Sequence, residues 1–348
     1  MDRIEEIYEK CPLVSIIIPN YNGETFIERC LKSVLNTDYP NFEVIVIDDG
    51  STDNSLKIVK ELFGHEPRLR ILKNDKNLGP ATSCNIASKA ARGRFIAFLG
   101  NDDEAAPNWI KESIKVFHTY EADAVFSKLI EFYDRQKIHM VGIYLIPYNA
   151  CGFPVGLGEV DMGQHDRVRA ACAVSTGLVV RREIIDRVGG FDEKLRCYTE
   201  DIDFSWRIWL AGYKMFLSPK SIVYYLTKSS EERRRFHGDT AVSQSFHLTK
   251  NSIRMMIKNY ERKNLIKYSI WFLLILILKT FTSLKQHNLD AIKGVFKAIL
   301  WNINNLSDTL YHRRIIQNRI QKVSDDFLFK KIFVNMSPLH IYRVFKRK

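Results

Sequence analysis

The chain has 348 residues, 46% hydrophobic and 26% charged, which supplies a buried core for one large or two modest domains and excludes a disordered tail protein, a collagen and a pure coiled coil. Its net charge of +12 is unevenly spread: residues 1–230 carry 29 basic and 32 acidic side chains, whereas residues 231–348 carry 23 and 8. A basic excess that belongs entirely to the last third points to an anionic partner for that part alone.

The first ten residues are charged and hold no apolar run, so no secretory signal is expected and the working part is placed in the cytoplasm. From Leu13 the pattern alternates regularly. Leu13–Ile18 is an apolar, β-branched run closed by Pro19 and Asn20, and Thr25–Leu35 repeats apolar residues at helical spacing. The same alternation predicts strands over Phe42–Ile47, Leu69–Leu72 and Phe95–Leu99, and helices over Asn54–Phe63, Pro80–Ala91 and Pro107–Tyr120. Such a series builds a mostly parallel sheet with helices on both faces, and in open sheets of that kind ligands bind beyond the carboxyl ends of the strands.

Those strand ends are polar: Pro19-Asn20-Tyr21-Asn22-Gly23, Asp48-Asp49-Gly50-Ser51-Thr52-Asp53, and Gly100-Asn101-Asp102-Asp103-Glu104. Any one of them can be read as helix capping, by Ser51, Thr52, Asp53 or Asp103. Three converging on one sheet edge point to a ligand site. Further strands are expected within Asp123–Tyr144, then a Gly/Pro-rich connection over Pro147–Gly163 and a buried strand over Ala171–Val180. Helices are expected over Arg182–Val188, stopped by Gly189-Gly190, and over Ile202–Ala211, stopped by Gly212. The six cysteines, at 11, 30, 84, 151, 172 and 197, lack metal-ligand spacing and read as reduced thiols.

Over about residues 12–225 the chain resembles the family 2 glycosyltransferases, inverting enzymes of the GT-A nucleotide-sugar fold. Four pieces carry the resemblance: Val14–Asn22, Val46–Asp53, Asn77-Leu78-Gly79 with Asn85, and Gly190-Phe191-Asp192-Glu193 followed by Glu200-Asp201-Ile202-Asp203. It implies a donor site of Pro19, Tyr21, Asp49, Asn77, Asn101 and Asp102, with Asp49 accepting from the N–H edge of the base. It further implies Mg²⁺ or Mn²⁺ on Asp102, the second carboxylate of a D-x-D element whose first position here is Gly100, with Asp103 and His237 as additional ligands. Where many relatives carry a His after the last core strand, this chain has Tyr225. Asp201 is implied as general base, with Glu200 and Trp206 on the acceptor side. The alternative for Glu200, Asp201 and Asp203 is that they complement a helix dipole.

Residues 1–242 are thus expected to form the catalytic domain and 243–348 a basic, helical, membrane-associating region. Tyr268–Leu284 is seventeen residues long with one charge, about 25 Å of helix against a hydrocarbon core of roughly 30 Å. With Lys250, Arg254, Lys258, Arg262, Lys263 and Lys267 before it and Lys285, Lys293 and Lys297 after it, the segment reads as lying in or dipping into the cytoplasmic leaflet of an anionic membrane, with a single spanning helix near 268–284 as the alternative. Ala291–Ile303 is a second such helix, and a helical bundle packed on the catalytic domain is the other reading. The Arg233–Arg235 run is placed either over the donor diphosphate or on the membrane. No nucleic-acid-binding signature accompanies the charge, so nucleic acid is excluded as a partner. The expected partners are a UDP-, dTDP- or GDP-sugar and a lipid-linked or glycan acceptor. A catalytically degenerate sugar-nucleotide-binding protein is the rival, motivated by Gly100 and Tyr225. A processive synthase is weaker still, because Q-x-x-R-W is absent.

Overall fold

The computed structural model describes residues 11–173, 176–227 and 241–334. The alternation seen in sequence forms β1 (Val14–Asn20), α1 (Ile27–Leu35), β2 (Phe42–Asp48), α2 (Ser55–Phe63), β3 (Leu69–Lys73), α3 (Pro80–Ala90), β4 (Phe95–Phe98), the short β5 (Glu104–Ala105) and α4 (Trp109–Thr119). β6 (Ala124–Glu131) and β7 (Ile138–Met140) follow, then a small separate sheet of β8 (Ile143–Leu145) and β9 (Gly152–Pro154). β10 (Leu178–Arg181), α5 (Arg182–Val188), α6 (Glu200–Leu210) and β11 (Met215–Tyr225) complete the α/β body.

The main sheet has nine strands in the order β3-β2-β1-β4-β10-β6-β11-β5, with β7 also on β6. β3, β2, β1 and β4 are parallel, as the alternation requires, whereas β10 runs antiparallel to both neighbours and β11 runs parallel to β6. Among the described residues of the apolar stretch Ala171–Val180, Leu178–Val180 lie in a strand of the sheet. Both faces are covered. Along β1, Ile17 packs into one apolar cluster with α3 and α6, while Ile16 and Ile18 pack into the other with α1 and α4. Burial on both sides is why β1 and β2 read as continuous apolar runs instead of alternating.

The last third is helical: α7 (Ala241–Asn259), α8 (Arg262–Lys285), α9 (Leu289–Asn304), α10 (Leu306–Ile315) and the short α11 (Asp325–Phe329). Two expectations for it change. α8 has 24 residues, about 36 Å, so it is longer than the apolar segment alone and long enough for a hydrocarbon core. More consequential, Lys250, Arg254 and Lys258 on α7 do not flank a membrane; they are buried against the α/β body. Arg254 Nε donates to Asp192 Oδ2 at 2.7 Å, and Lys258 reaches both Asp192 and Asp203. Asp203 also accepts from Arg207 Nε at 2.9 Å and Asn259 Nδ2 at 2.9 Å. Burial pushes the Asp192 carboxyl up, but Lys258 and Arg254 outweigh it and hold the group well below its usual range. α7 is therefore stitched into the α/β body by charge.

Candidate active site

One cavity of about 990 Å³ opens at the carboxyl ends of β1, β2 and β4. Pro19, Tyr21, Asp49, Asn77, Asn101 and Asp102, all expected at a donor site, line it. What holds them is a polar lattice between strand ends. Asn20 Nδ2 donates to Ser55 Oγ at 2.9 Å and Asp48 Oδ1 at 3.3 Å, and Asn20 Oδ1 accepts from Asn101 Nδ2 at 2.8 Å, tying the ends of β1 and β4 together. A Cβ on Gly23 would stand 2.3 Å from both atoms of that last bond, so the close approach requires glycine. Asp49 accepts from the backbone N–H of Leu78 (2.9 Å) and Gly79 (2.8 Å) and from Asn74 Nδ2 (2.8 Å). It fixes the 77–79 turn while facing the cavity, and its remaining lone pair is what a base N–H can meet.

Capping explains the second loop in part. Asp53 Oδ1 accepts from the Ser55 N–H at 3.0 Å, ahead of α2. Asp103 caps nothing, since α4 begins after Asn108. It is also not placed as a ligand: it is buried, accepts from Thr176 Oγ1 at 2.6 Å and from the Leu226 N–H at 3.1 Å, and does not line the cavity. A Cβ on Gly100 would lie 2.6 Å from Asp103 Oδ2 and 2.9 Å from Asp102 Oδ1. Among the described residues no three His, Cys, Asp or Glu side chains converge as a metal cage. Asp102 on the cavity wall still fits a hard cation that takes most of its ligands from a diphosphate and water, the usual Mg²⁺ arrangement. His237 and Arg233–Arg235 lie outside the described residues.

At the end of β11, where Tyr225 replaces the expected His, an imidazole nevertheless arrives from β7. His139 stacks on Tyr225 with ring centroids 4.1 Å apart, its Nδ1 lies 2.8 Å from Glu131 Oε1, and both rings line the cavity. Strand pairing across β7, β6 and β11 creates this neighbour, which no local spacing announced.

The acceptor side differs from expectation. Trp206 is fully buried, packed edge-on against Tyr260 at 4.7 Å and Phe333 at 5.5 Å, so it belongs to the core and not to the cavity. Of the Glu200-Asp201 pair, Glu200 lines the cavity, whereas Asp201 turns its Oδ1 onto the Ile202 N–H at 2.8 Å in the first turn of α6. Glu200 Oε2 is enclosed and accepts no hydrogen bond from the described residues. Burial first, and then the Asp201 charge, raise its pKa to about 8. The loop before it is strained, with Arg196, Tyr198 and Thr199 all at positive φ. α7 holds that loop: Lys250 Nζ donates to the Lys194 carbonyl at 2.8 Å, and Asn251 Nδ2 to those of Cys197 (2.9 Å) and Tyr198. Ser243, Phe246 and His247 of the same helix line the cavity. Sequence reasoning missed these residues; the one local signal was an aromatic pair in an otherwise polar stretch ahead of the basic run.

A mixed sheet with an acidic, polar cavity across its parallel strand ends is the architecture of the GT-A fold. The family model Glycosyl transferase family 2 matches residues 15–188, and Glycosyl transferase family group 2 matches residues 123–302. The chain belongs to glycosyl transferase family 2. Chondroitin synthase of Pasteurella multocida is 41% identical over 108 residues, 31% of this chain and 11% of that protein's length. Among solved structures, S. aureus TarS 1–349 in complex with UDP-GlcNAc superposes with a TM-score of 0.54 at 21% identity, over 75% of this chain and 71% of that one. GalNAc-T7 with UDP, GalNAc and Mn²⁺ gives 0.61 at 18% identity, over 76% and 50%.

Proposed function

We propose that the protein transfers a sugar from a nucleotide-sugar, most simply a UDP-sugar, to a glycan hydroxyl with inversion. The observation that carries this reading is the single cavity that brings together Asp49, Asp102 and Glu200 from three separate parts of the chain. Pro19, Tyr21 and Asp49 hold the nucleoside. Asp102 would hold Mg²⁺ or Mn²⁺, which would supply positive charge beside the donor diphosphate. The acceptor hydroxyl attacks from the opposite face and gives its proton to the Glu200–Asp201 pair, in which Glu200 faces the cavity and Asp201 tunes it. The UDP and Mn²⁺ bound by the GT-A neighbours support the choice of donor and cation.

The site works at the cytoplasmic face of a membrane, on a lipid-linked acceptor. Ile270, Leu273, Leu274, Ile277, Leu278 and Phe281 of α8 are exposed, as are Phe296, Leu300 and Ile303 of α9. Tyr268, Phe272 and Leu276 bind the other side of α8 to the body, with Tyr268 5.8 Å from Tyr148 and 5.4 Å from Tyr260. A helix held along one stripe lies in the interface and does not cross it, and Lys285, Lys293 and Lys297 then meet anionic headgroups. The test is release of UDP from a panel of UDP-sugars with Mn²⁺ and membrane-derived acceptors. Activity is expected in the full chain, and Asp102→Asn should abolish both turnover and the Mn²⁺-dependent gain in UDP affinity measured by calorimetry. Nucleotide binding with no release on any acceptor would favour the degenerate binder, for which the absent side chain at Gly100 is the supporting observation.

A further inference from the structure

We infer that Tyr198, Phe246 and His247 form the acceptor subsite and receive a pyranose ring of a glycan on their aromatic surface. The inference deepens the transferase reading and rests on it. Contacts link the walls. Asp49 holds the 77–79 turn; Asn77 Oδ1 accepts from Arg196 Nη2 at 3.1 Å; and α7 holds the chain on both sides of Arg196, Lys250 at the Lys194 carbonyl before it and Asn251 at the Cys197 carbonyl after it. The wall made by α7 is thus joined to the nucleoside end at β1 and β2 through the 77–79 turn and this loop, and Glu200, which follows the loop, lines the same cavity. A proton-accepting carboxylate that shares one cavity with donor groups and aromatic side chains is what transfer between two bound reactants needs. At about 990 Å³ the cavity is at the upper end of pockets that take one small molecule, which leaves room for a second reactant.

The chemistry of the wall selects a sugar. Phe246 and His247 meet edge to face with centroids 5.0 Å apart, and Tyr198 and His247 lie 6.2 Å apart. Lys250 Nζ stands 5.5 Å from the Phe246 ring, fixing its orientation from behind. A pyranose ring carries one face of C–H groups and a rim of hydroxyls; the first packs on an aromatic face and the second suits the phenol and imidazole polar atoms. The helix that builds this wall lies in the part of the chain whose composition pointed only to a membrane.

The experiment uses the full chain, fluorescently labelled and saturated with UDP and Mn²⁺, on an array of defined pyranose oligosaccharides. Binding is expected, with a loss of tenfold or more in Phe246→Ala, retention in Phe246→Trp, and UDP affinity in both variants within about twofold of the parent. Thermal melting checks that each variant folds. Undiminished glycan binding by Phe246→Ala overturns the inference, as does an array that stays silent while the parent binds UDP. Loss of UDP affinity in Phe246→Ala equal to the loss of glycan binding would instead give the wall to the donor. Failure of the parent to bind UDP would sink the transferase reading itself.

Discussion

Replacing the two carboxylates at the head of α6 one at a time decides which of them accepts the proton. Glu200 is enclosed, with its pKa raised to about 8, so at pH 6 only about 1% of it is ionised and the rate should climb close to tenfold per pH unit until the profile bends near 8. Glu200→Gln removes the acceptor and should lower kcat by about 10²–10⁴, roughly 3–5 kcal/mol of barrier, with the affinity for UDP retained. Asp201→Asn removes a charge that raises Glu200, so its acid limb should move to lower pH and its activity at pH 6 should exceed that of the parent. Stability carries the same signature with a definite sign. A carboxyl whose folded pKa is raised keeps its proton while the unfolded chain releases one near 4.5, so stability falls as pH rises from there to about 8, and Glu200→Gln should flatten that slope. The assays are a kcat profile from pH 5.5 to 9 and melting over the same range. Full activity in Glu200→Gln beside an inactive Asp201→Asn would refute the reasoning and return the base to Asp201.

The buried charge cluster makes a second prediction: Asp192→Ala removes the carboxylate that Arg254 and Lys258 share, leaving Arg254 with Asp308 and Lys258 with Asp203, and should cost about 1.5–3 kcal/mol in urea unfolding. Because the Asp192 pKa is depressed, its contribution is full above its unfolded value near 3.8 and is lost as pH falls below it, a slope the variant should lack. On the exposed face of α8, Leu273, Leu274 and Ile277 changed together to Ser should leave melting nearly unchanged and sharply reduce partitioning onto anionic vesicles; undiminished binding would remove the membrane reading.

The half of the sheet built from β1 to β4 was legible because each strand is buried on both faces and each helix follows within a few residues, so local pattern and tertiary position coincide. The donor wall was legible for the same reason: it consists of the strand ends themselves. Trp206 misled because its place after an acidic pair put it near the acceptor, while the helical turn rotates it into the core against Tyr260. His139 and His247 were illegible because they reach the cavity beside partners 86 and 49 positions away, Tyr225 and Tyr198, and such pairings leave no periodic trace. Lys250, Arg254 and Lys258 looked like membrane-facing cations because composition records charge and not its partner. Only the fold shows that Asp192 and Asp203 stand opposite them.

That last arrangement bears on how the chain can be handled and how it can change. A cut at residue 242 would take Arg254 and Lys258 away from Asp192, leave Asp203 with Arg207 alone, and strip the loop at 194–198 of its clasp. A fragment ending there is thus no stand-in for the full chain, and the proposed membrane contact is better probed by side-chain changes on α8. For the same reason, a chimaera that swapped this tail for another would have to carry matching charges across the joint between α7 and the α/β body.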